Sequence, residues 1–226
     1  MTASHHTHHT DHTADPAAVA VLNATLMHVP FDGWSDAALA AGAADAGVSY
    51  DRVAALFPKG AIDAIALHSR LADAEMVAAF EALPEAPQKT HLAIRALVLL
   101  RLELAQANKD AVRRALSCLA LPAHVKLSAE LLYATVDTMW RAAGQQDTGF
   151  SFYTRRATLA AVYSSTMLAW LADNSGVMDK TVEFLDRRLA NVASIPKATA
   201  PLRGMQAVGE RFASAMLKNL GRRHAR

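Results

Sequence analysis

The chain has 226 residues, enough to bury one sizeable core. Hydrophobic residues make up 52%, led by Ala and Leu, aromatics only 6%, and there are 10 Gly and 8 Pro; this excludes an obvious β-sheet protein and favours an all-α one. The net charge of +2 is unevenly spread: residues 1–50 carry Asp11, Asp15, Asp32, Asp36 and Asp45 with no Lys or Arg, while residues 187–226 carry nine Lys/Arg against Glu210 alone, a basic tail suited to lipid headgroups or nucleic acid.

A single cysteine, Cys118, excludes a disulfide framework and suits a reducing compartment; in its Ala/Leu-rich run it reads as a small buried hydrophobe. No apolar run approaches the length of a transmembrane helix. Residues 1–14 lack the apolar core of a signal peptide, and the first Arg is Arg52, unlike a mitochondrial presequence. A cytoplasmic bacterial protein, or a processed mature form, is the expectation.

Residues 1–14 are polar, hold five of the ten His, and read as a disordered tail with no specific metal site. Asp15-Pro16 is a helix-start signal, with Pro30 predicted to stop that helix. Ser35 or Asp36 caps a short second helix ended by Gly47, and Ser49 caps a third through Leu56. Phe57-Pro58-Lys59-Gly60 is a turn, followed by a long helix to about Leu83. Helices are expected over 90–107, 109–119 and 124–143, the last closed by Gly144. Residues 144–151 form a polar loop in which Ser151 caps the next helix. There Phe152, Leu159, Tyr163, Thr166, Met167 and Trp170 share one face at helical spacing, and 177–192 repeats the pattern. Pro196 and Pro201 mark a linker before a final helix from Leu202 to about Leu220.

Residues 36–60 therefore read as helix, tight turn, helix, a helix-turn-helix arrangement in which Gly47 supplies the positive φ of the turn. A DNA-reading helix needs basic or amide side chains. Helix 49–56 offers only Arg52, offset by Asp51, so DNA binding is not expected and the arrangement reads as a retained scaffold. The AGVS turn and the LFPKG ending resemble the DNA-binding part of TetR-type repressors, so a ligand-responsive regulator of that type is the alternative reading.

The stretch from Asp137 to Tyr163 groups Trp140, Phe150, Phe152, Tyr153 and Tyr163 with Arg155 and Arg156 across a loop and a helix start, the composition of a protein-recognition surface. No catalytic constellation accompanies it. His28, His68, His91, His124 and His224 are scattered, outside any metal-binding spacing, and Asp63, Asp73 and Glu75 near His68 and Arg70 read as a solvated helix face. On the final helix Leu202, Met205, Val208, Phe212, Met216 and Leu220 share an arc of about 120°, opposite Arg203, Glu210, Arg211, Ser214 and Lys218. That is the pattern of a helix lying in a membrane interface.

Several pieces, in order, resemble the ubiquinone-biosynthesis accessory family of lipid-binding TetR-like proteins: HVPFDGWSDAAL at 28–39, LFPKG at 56–60, RALSCLALPAHV at 114–125, VDTMW at 136–140, FSFYTRRATLAAVY at 150–163 and FLDRRLANV at 184–192. The resemblance implies an all-α TetR-like bundle with a degenerate helix-turn-helix, a hydrophobic cavity and a mobile amphipathic C-terminal helix. It implies a homodimer that binds an isoprenoid lipid or ubiquinone intermediate, associates with the membrane, and supports the di-iron demethoxyubiquinone hydroxylase without catalytic residues, metal or cofactor of its own. It places the partner contact on Met139, Trp140, Phe152, Tyr153 and Arg156, where Phe152 replaces an expected Trp. Four regions follow: a tail at 1–14, a helix-turn-helix-like unit at 15–60, a bundle at 61–195, and a linker with membrane helix at 196–226. Helices 90–107, 124–143 and 152–173 would line a lipid tunnel through Val98, Leu102, Leu132, Val136, Leu159, Tyr163 and Met167. Leu202, Arg203, Met205, Arg211, Phe212, Met216, Lys218 and Leu220 would meet a bacterial inner membrane.

Overall fold

A computed structural model describes residues 14–145 and 150–192, with Phe150 to Phe152 described by backbone alone. All regular structure among them is helical: α1 (Pro16–Asp32), α2 (Asp36–Asp45), α3 (Tyr50–Leu56), α4 (Ala61–Glu81), α5 (Thr90–Leu104), α6 (Lys109–Leu119), α7 (Val125–Ala142), α8 (Phe150–Ala172) and α9 (179–192). Single 3₁₀ turns at Gln106–Asn108 and Pro122–His124 join α5 to α6 and α6 to α7. No single helix among the described residues is long and apolar enough to cross a membrane.

Local chemistry sets most boundaries. The Asp15 carboxylate accepts from Ala17 N–H at 2.9 Å, with Pro16 opening α1. Ser35 Oγ accepts from Ala38 N–H at 3.1 Å, Gly47 takes φ 66°, and Ser49 occupies the cap position of α3 without a side-chain bond. Two boundaries differ from expectation. Pro30 lies inside α1, not beyond its end. Its missing N–H falls in the last turn, where Gly33 N–H closes on Val29 O and Arg114 donates to Pro30 O at 2.8 Å, so the turn survives the proline. Ser151 is already helical, because α8 begins at Phe150.

Helices α1–α3 close over Val21, Leu22, Leu39, Ala43, Val53 and Phe57, and Ala64 and Leu67 of α4 belong to the same core. The helices α1 and α2 cross where Gly42 meets Thr25 so closely that a Cβ on Gly42 would lie 2.3 Å from Thr25 Oγ1. The larger core joins Met76 and Phe80 of α4, Leu97, Val98 and Leu102 of α5, Val136 and Met139 of α7, Leu159, Tyr163 and Trp170 of α8, and Leu185 of α9. Burying a side chain of this size contributes about 1.5–3 kcal/mol. Trp34 bridges the two parts: its Nε1–H donates to Ala111 O of α6 at 2.9 Å, and its ring lies 5.7 Å from the His68 ring of α4. Cys118 is half-buried beside Ile65, Ala115 and Leu119, not sealed in the core as expected. The expected membrane-interface helix at 202–220 lies outside the described residues.

Two cations of α6 fasten the C-terminal end of α8. Arg113 donates to Leu171 O at 3.0 Å, and Lys109 donates to Asp173 O while lying 5.1 Å over the Trp170 ring. Trp170 Nε1–H donates to Gln106 Oε1 at 2.8 Å. The Asp173 carboxylate then organises the turn into α9, accepting from Ser175 N–H and Thr181 Oγ1–H.

Candidate functional site

The pieces that α4 through α8 turn inward enclose a cavity of about 230 Å³. Most of its wall is apolar: Ile65, Leu102, Ala105, Leu119, Leu132 and Trp170 are among the lining residues. The remainder is polar and comes from His68 and Ser69 of α4, Arg101 of α5, Ser128 and Thr135 of α7, and Tyr163 and Ser164 of α8. Leu168, 64% exposed, and the half-buried Leu116, Ser128 and Leu131 mark its mouth.

The polar end is built on a buried ion pair. Arg101 Nε–H donates to Asp73 Oδ1 at 2.9 Å, its Nη2 lies 3.4 Å from Ser69 O, and Thr135 Oγ1 lies 3.0 and 2.8 Å from the two Asp73 oxygens. The single Thr135 proton serves one oxygen at a time. Both carboxylate oxygens face donors, so the pair is ionised and internally neutral. Burial holds the Asp73 carboxyl above the ordinary carboxylate value, against the smaller downward pull of Arg101 and Thr135. Burial and then the Arg101 charge lower the His68 imidazole to about 4, so it is neutral at pH 7, with one donor and one acceptor nitrogen. Burial raises the Tyr163 phenol, which stays protonated.

Three polar groups retain unused capacity. Every fully enclosed side-chain nitrogen and oxygen among the described residues has a partner. Yet the Tyr163 hydroxyl, the His68 ring nitrogens and Arg101 Nη1 make no hydrogen bond to a described residue. They are therefore not enclosed, and all three residues line the cavity. Tyr163 is nevertheless only 2% exposed, so its hydroxyl opens on the cavity and not on bulk solvent.

Of the residues expected to line a tunnel, Leu102, Leu132, Tyr163 and Met167 lie on this cavity. Val98, Val136 and Leu159 do not; they belong to the core behind it. The expectation of a solvated face around Asp73 and His68 is overturned. Asp73 is buried and His68 lines the cavity, because Ile65, His68, Ser69, Asp73 and Met76 form the inward stripe of α4. Arg101 and Thr135 do not stand out as site residues in the sequence either. Their signal was a polar residue at a core position: Arg101 interrupts Ile94, Leu97, Val98, Leu102 and Ala105, and Thr135 interrupts Leu131, Leu132, Val136 and Met139.

The expected partner surface is only partly at the surface. Met139 is fully buried, and Arg156 is buried with Nε–H donating to Asp137 Oδ1 at 2.8 Å, while Arg141 takes the other Asp137 oxygen at 2.9 Å. Trp140 is largely covered, with the Arg155 guanidinium 6.0 Å over its ring. Tyr153 is 70% exposed; the Phe152 side chain lies outside what is described. The membrane candidates Leu202, Arg203, Met205, Arg211, Phe212, Met216, Lys218 and Leu220 all lie outside the described residues. In the helix-turn-helix unit, Arg52 is paired with Asp15. A second recess of about 450 Å³ between α2 and α3 has Asp36 as its one charged lining residue. Among the described residues no three His, Cys, Asp or Glu are grouped to hold a metal ion.

The fold is that of TetR-type proteins: it is similar to the crystal structure of the TetR transcriptional regulator from Nitrosomonas europaea ATCC 19718, with a TM-score of 0.62 and 22% identity over 80% of this chain and 100% of that one. The COQ9 family model matches residues 125–196, which include Thr135 and Tyr163. The human ubiquinone biosynthesis protein COQ9, mitochondrial, is 35% identical over 176 residues, 75% of this chain and 55% of that protein; the rat protein is 35% identical over 75% and 56%. The Schizosaccharomyces pombe protein coq9 is 27% identical over 77% and 69%. The chain spans little more than half the length of the mammalian relatives. Over these stretches the chain is similar to COQ9 proteins, on a TetR-like all-α scaffold.

Proposed function

We propose that this chain is a non-catalytic accessory protein of ubiquinone biosynthesis, which binds an isoprenoid lipid or quinone intermediate and presents it at a membrane surface to the di-iron demethoxyubiquinone hydroxylase. The observation that carries this reading is the cavity between α4 and α8, apolar over most of its wall and polar at one end. Kinship with proteins named for ubiquinone biosynthesis supports the pathway. At about 230 Å³ the cavity is smaller than drug-sized pockets of about 300–1,000 Å³. It has room for a head and the first isoprene units, with the rest of the tail running out past Leu168. That suits a protein that presents its ligand more than one that stores it.

In this reading the exposed Tyr153 meets the hydroxylase, with the Arg155–Trp140 pair at the same end of α7 and α8, and the chemistry is the partner's. Met139 and Arg156 act from inside, holding α7 against α8. The amphipathic segment 202–220 docks on the inner membrane of a bacterium, and the protein acts as a homodimer. The pairing of Arg52 with Asp15 and the acidity of residues 1–50 disfavour DNA as a ligand.

Native mass spectrometry of the full chain, with lipid extraction, tests the proposal. A co-purifying prenyl lipid or quinone is expected, and its absence across preparations would overturn it. Deletion of 202–226 is expected to abolish flotation with anionic liposomes. A tight, sequence-selective gel shift at physiological salt would favour a transcriptional regulator instead.

A further inference from the structure

We infer that the polar end of the cavity selects an uncharged, oxygen-bearing head over an anionic head on the same tail, with Tyr163, His68 and Arg101 as the specificity-determining residues. This rests on the lipid-binding reading above and adds what the site accepts.

Three observations carry it. First, Tyr163 on α8, His68 on α4 and Arg101 on α5 reach one cavity from three helices, each with unused hydrogen-bonding capacity. A head that carries oxygen can accept from Tyr163 and Arg101 and bond a His68 nitrogen, whereas a hydrocarbon can meet none of the three. Secondly, the charge of Arg101 is already matched. Asp73 holds its Nε–H at 2.9 Å, both groups are buried, and Thr135 completes the carboxylate's bonds. An anionic head would leave water for a site with no net charge and would lie close to the Asp73 carboxylate, a cost with no compensating cation. Thirdly, the other polar lining groups are the neutral Ser69, Ser128 and Ser164, and no Lys or second Arg lines the cavity. The hydroxyl of a buried Tyr left without a protein partner is costly unless a ligand or water takes it. The site is therefore poised for an acceptor oxygen at Tyr163.

Equilibrium dialysis of the full chain against four compounds that share a ten-carbon terpenoid chain tests the inference: a geranyl-substituted benzoquinone, geranyl diphosphate, geranic acid and a terpene hydrocarbon. The quinone should bind at least about tenfold tighter than either anion, which corresponds to about 1.4 kcal/mol. Tyr163→Phe should weaken quinone binding about 3- to 10-fold, the worth of one hydrogen bond, and leave the hydrocarbon unchanged. Asp73→Asn unmatches Arg101 and should raise diphosphate affinity about tenfold. Equal or reversed preference in the unmodified chain would overturn the inference, as would a Tyr163→Phe loss shared by the hydrocarbon. If Asp73→Asn does not fold, the first two measurements still decide. If the hydrocarbon and quinone both fail to bind, the lipid-binding reading itself falls; if they bind without discrimination from the anions, only the head-selection inference falls.

Discussion

Arg101 and Asp73 meet at 2.9 Å inside the bundle, from α5 and α4, with both side chains buried. Their pairing decides what the cavity's polar end is. Without Asp73 it would be a cation hole; with it, the end is polar and neutral. Removing one partner from such a pair costs far more than the pair contributes, because the survivor stays buried and charged. Asp73→Ala is accordingly expected to destabilise the fold by about 3–5 kcal/mol. Thr135→Val, which removes only the hydroxyl, should lose about 1–3 kcal/mol. Urea unfolding of the two variants checks both the order and the size.

The His68 imidazole, held near 4 in the folded state, has an ordinary value of 6.5 when unfolded. Its folded value is depressed, so above pH 6.5 both states are neutral and it has no effect. As pH falls from 6.5 towards 4 the unfolded state takes up a proton that the folded state refuses, and stability drops by up to about 3 kcal/mol. His68→Gln should flatten the stability profile in that window. A profile unchanged by the substitution would show that another group titrates there. Below that window Asp173, lowered to about 2 by its bonds from Ser175 and Thr181, releases further stability as pH falls through its folded value.

Gly42→Ala sets helix propensity against packing. Ala is favoured over Gly within a helix by about 1 kcal/mol. The new Cβ, however, would lie 2.3–2.7 Å from Thr25 Oγ1, N and Cα, and two of those atoms are backbone that cannot rotate away. Overpacking of this kind costs about 1–3 kcal/mol or more. We expect net destabilisation and a lower melting temperature.

Lys109→Met keeps the length of the side chain but removes its bond to Asp173 O and its charge over Trp170. A loss of about 1–2 kcal/mol is expected. Tryptophan emission should change as well, since Trp170 is one of three Trp in the chain.

Tyr153 and Arg156, three residues apart on α8, are expected to separate association from stability. Tyr153→Ala, at a 70% exposed position, should stay within about 0.5 kcal/mol of the parent fold and weaken hydroxylase capture. Arg156→Ala leaves Asp137 with only the exposed Arg141 as counter-charge, so it should lower the unfolding midpoint clearly. A capture defect in Arg156→Ala that disappears at low temperature would mark it as a secondary effect of unfolding.

Much of the architecture is legible in the chain itself. The Asp15-Pro16 start, the Ser35 cap, the Gly47 and Gly60 turns and the Gly144 stop are local chemistry, acting within a few residues. The inward face of α8, with Leu159, Tyr163, Thr166 and Trp170 buried, follows from 3.6-residue periodicity. The ordered motifs of residues 28–192 point to the COQ9 proteins, and the family match over 125–196 agrees.

The site was legible in its apolar part and hidden in its polar part. Leu102, Leu132, Tyr163 and Met167 stand out as inward residues of their helices. Asp73 beside Glu75 looks like an ordinary solvated acid until its partners are known. Those partners are 28 and 62 residues away, on helices that meet α4 only when the bundle closes. Pro30 errs in the opposite direction: its rule is local, but the Arg114 bond that steadies its turn comes from 84 residues away. Helix limits and apolar faces depend on neighbours within one or two turns, so the sequence alone determined them. Which charges are buried, which are matched, and which hydroxyl is left facing a cavity depend on contacts across helices, and only the tertiary structure decided those.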